Sequence, residues 1–470
     1  GMYTDSIVLP RYSETGVWTV SSVALKDRVT NGRWLNETDL ITISFPTQFT
    51  VTGTISDVTP PQLVSFDFAP KIVDTSGTAL LPRTLTFTAH VTDDLSGVGD
   101  VGIRLISPSG EQTHYESLDL ETGNALDGIY RNGFTFPPYS ETGVWKVDQV
   151  SLHDEVTNSR YAYEAELSVL GFPAQFTVTA PISDTEPPHL ATFDFEPKVV
   201  DTARTSETIT FTARITDNLA GVNYWYFRYY SPSGQYMPSM YQTSVISGGP
   251  HDRTYVESVI LPQYSEMGIW TLSHIGMYDL ADNRAWLGSE DVTALGFPTD
   301  TTQFMNGTPI TGGVQSTLIY PSPDGLTTTL DIPAGAVTDT TYLAYNNVSE
   351  VMDIPQGHTF AGRAFSLDAY RDMALLSDFH FVTPPTVTLA YDGGVVSGTR
   401  ERNLLLAYWN GDTWMDIVDS CPGSEYVRQP ERDQISVPIC HLSKFALLSR
   451  EESGSNTVYI PLVLRNRRVE

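Results

Sequence analysis

The residues whose type and spacing point to chemistry fall into two groups. The first is a run near the C-terminus, His441, Leu442 and Ser443. On an extended strand alternate side chains share a face, so His441 and Ser443 become neighbours and Leu442 points away. An imidazole, with its ordinary pKa near about 6.5, can take the proton of a hydroxyl. The serine oxygen would then attack the carbonyl of Leu442, and the resulting N-to-O acyl shift would leave an ester that water hydrolyses. Such a cut needs a strained peptide and donors for the oxyanion, and neither is legible in a sequence. The other reading is structural. Val437, Ile439 and Phe445 fall on the same face as His441 and Ser443, so the two polar residues would satisfy each other in a core. The structural reading is the one adopted here.

The second group is acidic. Asp93 and Asp94 stand in TDDLSGV, and Asp217 stands in TDNLAGV. Clustered aspartates with backbone carbonyls are the ligands calcium takes. Asp and Asn also close their own turns by side-chain hydrogen bonds. No D-x-D-x-D-G loop occurs, so capping is the reading adopted. A weak site at Asp93, Asp94 or Asp217 would shift the melting temperature little when calcium is added. No cofactor other than calcium is suggested. The histidines do not define a shared site, because His90 corresponds to Arg214 and His153 to Tyr278 between copies of a repeat described below. The sequence has no HExxH, GxSxG, P-loop or CxxC motif.

Composition narrows the partners. Over 470 residues, 56 acids against 27 bases give a formal charge of −29. That excludes a nucleic-acid binder, which needs a basic face to release counterions, and disfavours anionic lipid. No stretch reaches the roughly 18–20 apolar residues that span a bilayer. The apolar run in VYIPLVLRNRR at 458–468 reads as a last strand or a short export-linked tail. Tyr, Phe and Trp number 24, 20 and 8, enough large apolar surface for several cores. Two cysteines, Cys421 and Cys440, make neither a disulfide miniprotein nor a zinc array. No signal-like segment opens the sequence.

The elements that must position these groups are repeated. DVTPPQLVSFDFAPKIVDT at 57–75 returns as DTEPPHLATFDFEPKVVDT at 184–202. TLTFTAHVTDDLSGV at 84–98 returns as TITFTARITDNLAGV at 208–222, and YSETGVW at 12–18 returns at 139–145 and as YSEMGIW at 264–270. There are thus two full copies and one partial copy lacking its first half, which suggests that the chain starts inside a repeat of a longer protein; the rival reading is a true start at Met2 and a naturally short first domain. Leu85, Phe87, Ala89 and Val91 alternate with threonines and His90, the period of a half-buried strand. Trp18, Trp145 and Trp270 are the candidate core anchors. Gly-bearing turns punctuate short strands, and no helical stretch is expected. The units therefore read as antiparallel β-sandwiches, with Asp-x-x-Pro-Pro marking the junctions. After about residue 308 the repeat stops, and 309–450 reads as one more β-rich unit. The expected division is 1–56 for the partial repeat, 57–183 and 184–308 for the full ones, 309–450, and a tail at 451–470. The partial repeat, lacking partner strands, should be loosely ordered alone or complete itself on another chain.

With the D…SGV turns and the later Asp27…Asn31, Asp154…Asn158 and Asp279…Asn283 turns, the repeats resemble bacterial immunoglobulin-like or fibronectin-type-III-like surface modules. The resemblance implies an exported stalk or binding role. The last unit resembles ZU5 domains through Gly325 and Leu330-Asp331-Ile332-Pro333-Ala334-Gly335-Ala336. Its end resembles the proteolysis-site motif of GAIN domains through Trp409, Trp414, Cys421, Cys440-His441-Leu442-Ser443 and Phe445-Ala446-Leu447-Leu448. That second resemblance implies autoproteolysis at Leu442–Ser443. The family motif has four cysteines, one of them two positions before the histidine, where this chain has Ile439. An exported location permits a Cys421–Cys440 disulfide, which would stabilise the unit by roughly 3 kcal/mol. The function expected is that of a non-catalytic stalk or interaction module, at the cell surface or secreted, with an unidentified protein or carbohydrate partner. The alternatives are a self-processing domain and an accessory region of a secreted hydrolase.

Overall fold

A computed structural model describes residues 2–29, 31–76, 83–237, 240–242, 245–322, 325–348, 351–394, 396 and 398–450. The expected tail at 451–470 lies outside them. The protein is all-β, with 53% of residues in strands and 7% in helices, and its sheets are largely antiparallel. Two compact units divide it, one holding Gly1–Lys198, Thr208–Ile260 and Thr271–Gln303, the other Val199–Glu207, Leu261–Trp270 and Phe304–Glu470.

In the first unit, the first full repeat folds as two facing sheets. One runs in the order Asp119–Asn124, Asp127–Thr135, Thr84–Thr92, Gln62–Ala69. The other runs Ile72–Asp74, Gln175–Thr179, Gly143–Asp154, Val98–Ile106, Thr113–Ser117. The strand Thr84–Thr92 is buried at every second residue, as its alternation dictates. Phe66, Phe68, Leu85 and Phe87 of one sheet and Ile103, Leu105, Trp145 and Val147 of the other share one core. Phe68 meets Phe176 edge-on at 5.7 Å, an aromatic contact that bridges the two layers. Trp145 is fully buried and its indole N–H donates to the Glu141 carbonyl at 2.7 Å. The pairing of Ile72–Asp74 with Gln175–Thr179 is parallel, joining the start of the repeat to its end, with Ile72, Val73 and Asp74 opposite Thr177, Val178 and Thr179.

In the second repeat, Glu207–Thr216 pairs with His189–Glu196, and Val222–Tyr230 pairs with Gly268–Asp279. Phe211 and Phe227 lie 4.2 Å apart in its core. The partial repeat is two separate ribbons, Gly16–Thr19 on Gln48–Val51 and Ser22–Lys26 on Gly32–Asn36. Trp18 is only half-buried there, and Trp34 is 73% exposed.

One departure from expectation recurs in all three copies. Single-turn helices occupy Glu37–Thr42, Glu164–Val169 and Ser289–Ala294. Each begins with acids in its first turn, which favour a helix N-terminus, and each is too short to show a helical period. In the first, Asn36 and Asp39 form a reciprocal capping box.

The second unit has a sheet in the order Thr308–Ile310, Thr341–Asn347, His358–Arg371, Lys444–Arg450, Leu404–Trp409, Trp414–Asp416. A second sheet runs Ser316–Pro321, Thr327–Ile332, Thr386–Ala390, Gln434–Pro438, Val427–Gln429. Both contribute to one core, in which Tyr320, Tyr345, Phe365 and Phe445 stack in series at 4.5, 5.0 and 5.2 Å. Trp270 in this unit stacks on Phe304 at 5.7 Å.

Candidate functional site

The acids of the repeats do not stay local to their turns. Asp184, Asp217 and Asp279 come from three separate segments: the Pro-Pro linker, the turn after Glu207–Thr216, and the end of Gly268–Asp279. Each offers an oxygen within 4.8 Å of the others. All three are buried, at 1%, 7% and 0% exposure.

Local hydrogen bonds orient them. Asp184 accepts from the backbone N–H of Glu186 at 3.1 Å and of Ala220 at 2.7 Å. Asp217 Oδ1 accepts from Leu219 and Gly221, at 3.1 and 2.5 Å. Asp279 Oδ1 accepts from the N–H of Ala281 and Asn283, both at 2.8 Å, and its Oδ2 accepts from Asn283 Nδ2 at 2.7 Å. Capping is therefore real, as the sequence implied. It leaves Asp217 Oδ2 buried with no hydrogen-bond partner. Gly221 makes the turn possible: its φ is +93°, and a Cβ there would meet Pro250 at 3.0 Å.

Burial dominates the electrostatics. It pushes Asp279 up to about 7, with the charges of Asp184 and Asp217 adding to the rise and the Asn283 bonds opposing it. Asp184 is raised for the same first reason, against the N–H bonds from Ala220 and Glu186.

The first full repeat closes over this cluster. Gln112, fully buried, donates from Nε2 to the Asp184 carbonyl at 3.0 Å and to Asn283 Oδ1 at 2.9 Å, and its Oε1 accepts from the Glu141 N–H at 3.0 Å. Asn283 Nδ2 also reaches the Asp184 carbonyl, at 3.2 Å. His114 Nδ1 lies 2.9 Å from Asp282 Oδ2, and its ring stacks on Trp145 at 5.5 Å.

A related cluster forms one repeat earlier from Asp57, Asp93 and Asp94, which are buried, half-buried and exposed in that order. Asp57 accepts from Thr59 N at 3.0 Å and Ser96 N at 2.7 Å. Burial works to raise its pKa, but the Ser96 and Thr59 bonds together outweigh it and hold Asp57 below the usual range. Of the candidate ligands, Asp93 and Asp94 are thus brought together, while Asp217 joins a different set. Asp57, Asp184 and Asp279 escaped the sequence reading as ligands. The signal that could have found them is that an Asp keeps its place in each of three repeated motifs.

In the second unit, His441 and Ser443 turn to different partners. His441 Nε2 lies 2.7 Å from Ser420 Oγ, and its Nδ1 lies 3.4 Å from the Leu442 carbonyl oxygen. Its ring packs edge-on against Tyr408 at 4.7 Å, and burial lowers its pKa. Ser443 Oγ donates to the Trp409 carbonyl at 2.7 Å. His441 sits in an isolated bridge with His380, and the regular strand begins only at Lys444. The alternation argument, which assumes regular extended backbone, therefore has no regular strand to act on at 441–443. Cys421 and Cys440 are joined in a disulfide.

The model of a domain of unknown function, DUF7743, matches residues 55–177, the first full repeat with the Asp57 linker. No curated protein matches the chain. Among solved structures, the chain is similar to β-glucuronidase 2 of Bacteroides uniformis, at 8% identity and a TM-score of 0.19, over 54% of this chain and 33% of that one. A DUF4785 family protein of Legionella pneumophila is similar at 10% identity and a TM-score of 0.16, over 59% of this chain and 84% of that one. The chain thus spans about a third of the length of the glucuronidase, and the matched domain family covers one repeat.

Proposed function

We propose that this chain is a non-catalytic spacer and interaction module of an exported bacterial-type protein, at the cell surface or secreted. The observation that carries the reading is the hydrogen-bonded seam between the two full repeats. A flexible linker would leave Gln112 in water. Here its amide is buried and bonded to the linker carbonyl of Asp184, to Asn283 of the next repeat and to Glu141 of its own. A spacer that holds a partner-binding surface at a set position needs such a fixed junction. Unpaired, this buried amide would cost about 1–3 kcal/mol, so the seam favours one arrangement of its two faces. The resemblance to bacterial surface repeats supports the same reading, as does the strongly acidic composition, which favours solubility and opposes nucleic-acid binding.

Two measurements on the full chain test it. Amide relaxation should give the two full repeats one common tumbling time, and Gln112→Ala should separate them. The intact mass should stay whole on long incubation at neutral pH. Independent tumbling in the unaltered chain would remove the basis of the spacer reading. A cut at Leu442–Ser443, abolished by Ser443→Ala, would replace it with self-processing.

A further inference from the structure

We propose that Asp184, Asp217 and Asp279 bind a divalent cation of oxygen preference, calcium, at the seam between the two full repeats. The inference is independent of the spacer reading, since a cation can bind there whatever the chain does.

Four features converge. The donors are all carboxylate oxygens, the set chosen by hard cations and not by zinc or copper, which favour nitrogen and sulfur. The oxygens lie within 4.8 Å of one another, a spacing that ligands around one ion of about 2.3–2.6 Å bond length can have. Asp217 Oδ2 is buried, unpartnered and on a residue that is 7% exposed, so an acceptor has been desolvated with nothing donating to it. An unmatched acceptor of this kind is costly unless something binds it. Finally, the three buried acids come from three separate segments and converge on one point, gathering negative charge that no single turn requires. A divalent ion supplies a balancing charge, and at Asp217 it leaves the turn bonds in place, because those bonds fall on Oδ1 and leave Oδ2 open.

Calcium fits better than magnesium on coordination grounds. Three carboxylates from three different segments make an irregular set, which calcium's flexible coordination of six to eight oxygens tolerates. Magnesium demands near-ideal octahedral geometry and keeps its water. The position also gives the ion a consequence. Asp184 lies in the linker, its carbonyl is held by Gln112 of the preceding repeat, and the other two ligands belong to the following one. Filling the site fixes the linker to the second repeat at the point where the first repeat grips it.

The test uses the full chain after dialysis against a chelator. Calcium titrated into it at pH 7 by calorimetry should bind saturably, with a dissociation constant of ~10⁻⁴–10⁻³ M, the range of extracellular modules. Asp217→Asn, which keeps the Oδ1 acceptor, should weaken binding at least tenfold, while Asp93→Asn in the first cluster should leave this site intact. On the unaltered chain, calcium should slow hydrogen exchange at the amides of Leu219, Gly221 and Asn283. The proposal is overturned by either of two results: no saturable binding up to about 10 mM, ten times the weak end of that range, or binding that survives Asp217→Asn undiminished. Unchanged exchange at those three amides, with binding seen elsewhere, overturns it as well, and that reading needs no variant to fold.

Discussion

The first full repeat has a junction at each end, and the two ends differ. At its start, Asp57, Asp93 and Asp94 lie partly in solvent, hydrogen bonds hold Asp57 below the ordinary carboxylate range, and the preceding residues form two ribbons with Trp18 half-buried. At its far end, Asp184, Asp217 and Asp279 are all buried, Asp279 is pushed up to about 7, and Gln112 seals the seam. The linker motif is the same, and the turn motif nearly so, with Asn218 where the first has Asp94. The difference teaches that the motif supplies the acids but burial sets what they do. The same Asp-x-x-Pro-Pro carboxylate stabilises as an anion when its hydrogen bonds outweigh desolvation, and becomes a reluctant anion when they do not.

The largest test concerns the cores on either side of the first junction. Trp145→Ala should cost about 3–5 kcal/mol, because a fully buried indole leaves a cavity the sheets cannot close. Trp18→Ala, in the ribbon, should cost under about 1.5 kcal/mol. Denaturant melts of the two variants measure both. Equal losses would mean that the two flanks of the first junction are packed alike.

A pH series separates the two ends next. In cation-free protein, Asp279 keeps its proton to about pH 7 when folded but loses it near its ordinary 3.8 when unfolded. Between those values the folded state binds more protons, so stability should fall as pH rises and level off above about 7. The full span is at most about 4 kcal/mol. It should vanish in Asp279→Asn and shrink when calcium is present. Asp57 works in the opposite sense: its pKa is lowered in the fold, so its contribution is present at neutral pH and lost as the medium becomes strongly acidic. Urea midpoints from pH 3 to 8 for the unaltered chain, Asp279→Asn and Asp57→Asn would separate the two.

Smaller effects come from single polar contacts. Gln112→Ala should destabilise the seam by about 1–3 kcal/mol, since it strands the Asn283 amide oxygen and the Glu141 N–H. Hydrogen exchange should rise around residues 184–186 and 280–283 and stay unchanged around 57–59. A smaller change is expected at the first end: Asp57→Asn should cost about 1 kcal/mol by weakening charge-assisted bonds from Thr59 and Ser96. In the cation-free chain Asp184→Asn should be close to neutral, because relief of repulsion offsets the weaker bonds.

Much of this architecture was legible in the residues. The alternation of Thr84–Thr92 and of Thr386–Ala390 predicts which side chains are buried, and they are. Internal repetition located Trp145 and Trp270, both buried. Two features escaped. The one-turn helices escaped because six residues carry no period. The acid clusters escaped because their members are distant in sequence: Asp217 was visible as a turn residue, but its proximity to Asp184 and Asp279 depends on how three loops meet at one end of a sandwich. At the C-terminal end, the expected pairing of His441 with Ser443 assumed regular extended backbone. The chain there is instead tied to Ser420, His380 and Trp409, contacts set by tertiary packing.

The parallel pairing of Ile72–Asp74 with Gln175–Thr179 has a mechanical meaning. The chain enters the repeat ahead of the first of these strands and leaves it after the second. Tension applied through the two linkers therefore pulls the strands in opposite directions along their own axes. The bonds of the pair, together with those from Thr75 to Thr179 and from Thr177 to Lys71, are loaded side by side in shear. Antiparallel neighbours pulled from one end would part bond by bond, like a zip. Here the pair must yield almost at once, so a module stretched between two anchored ends should resist until a threshold force and then give way abruptly.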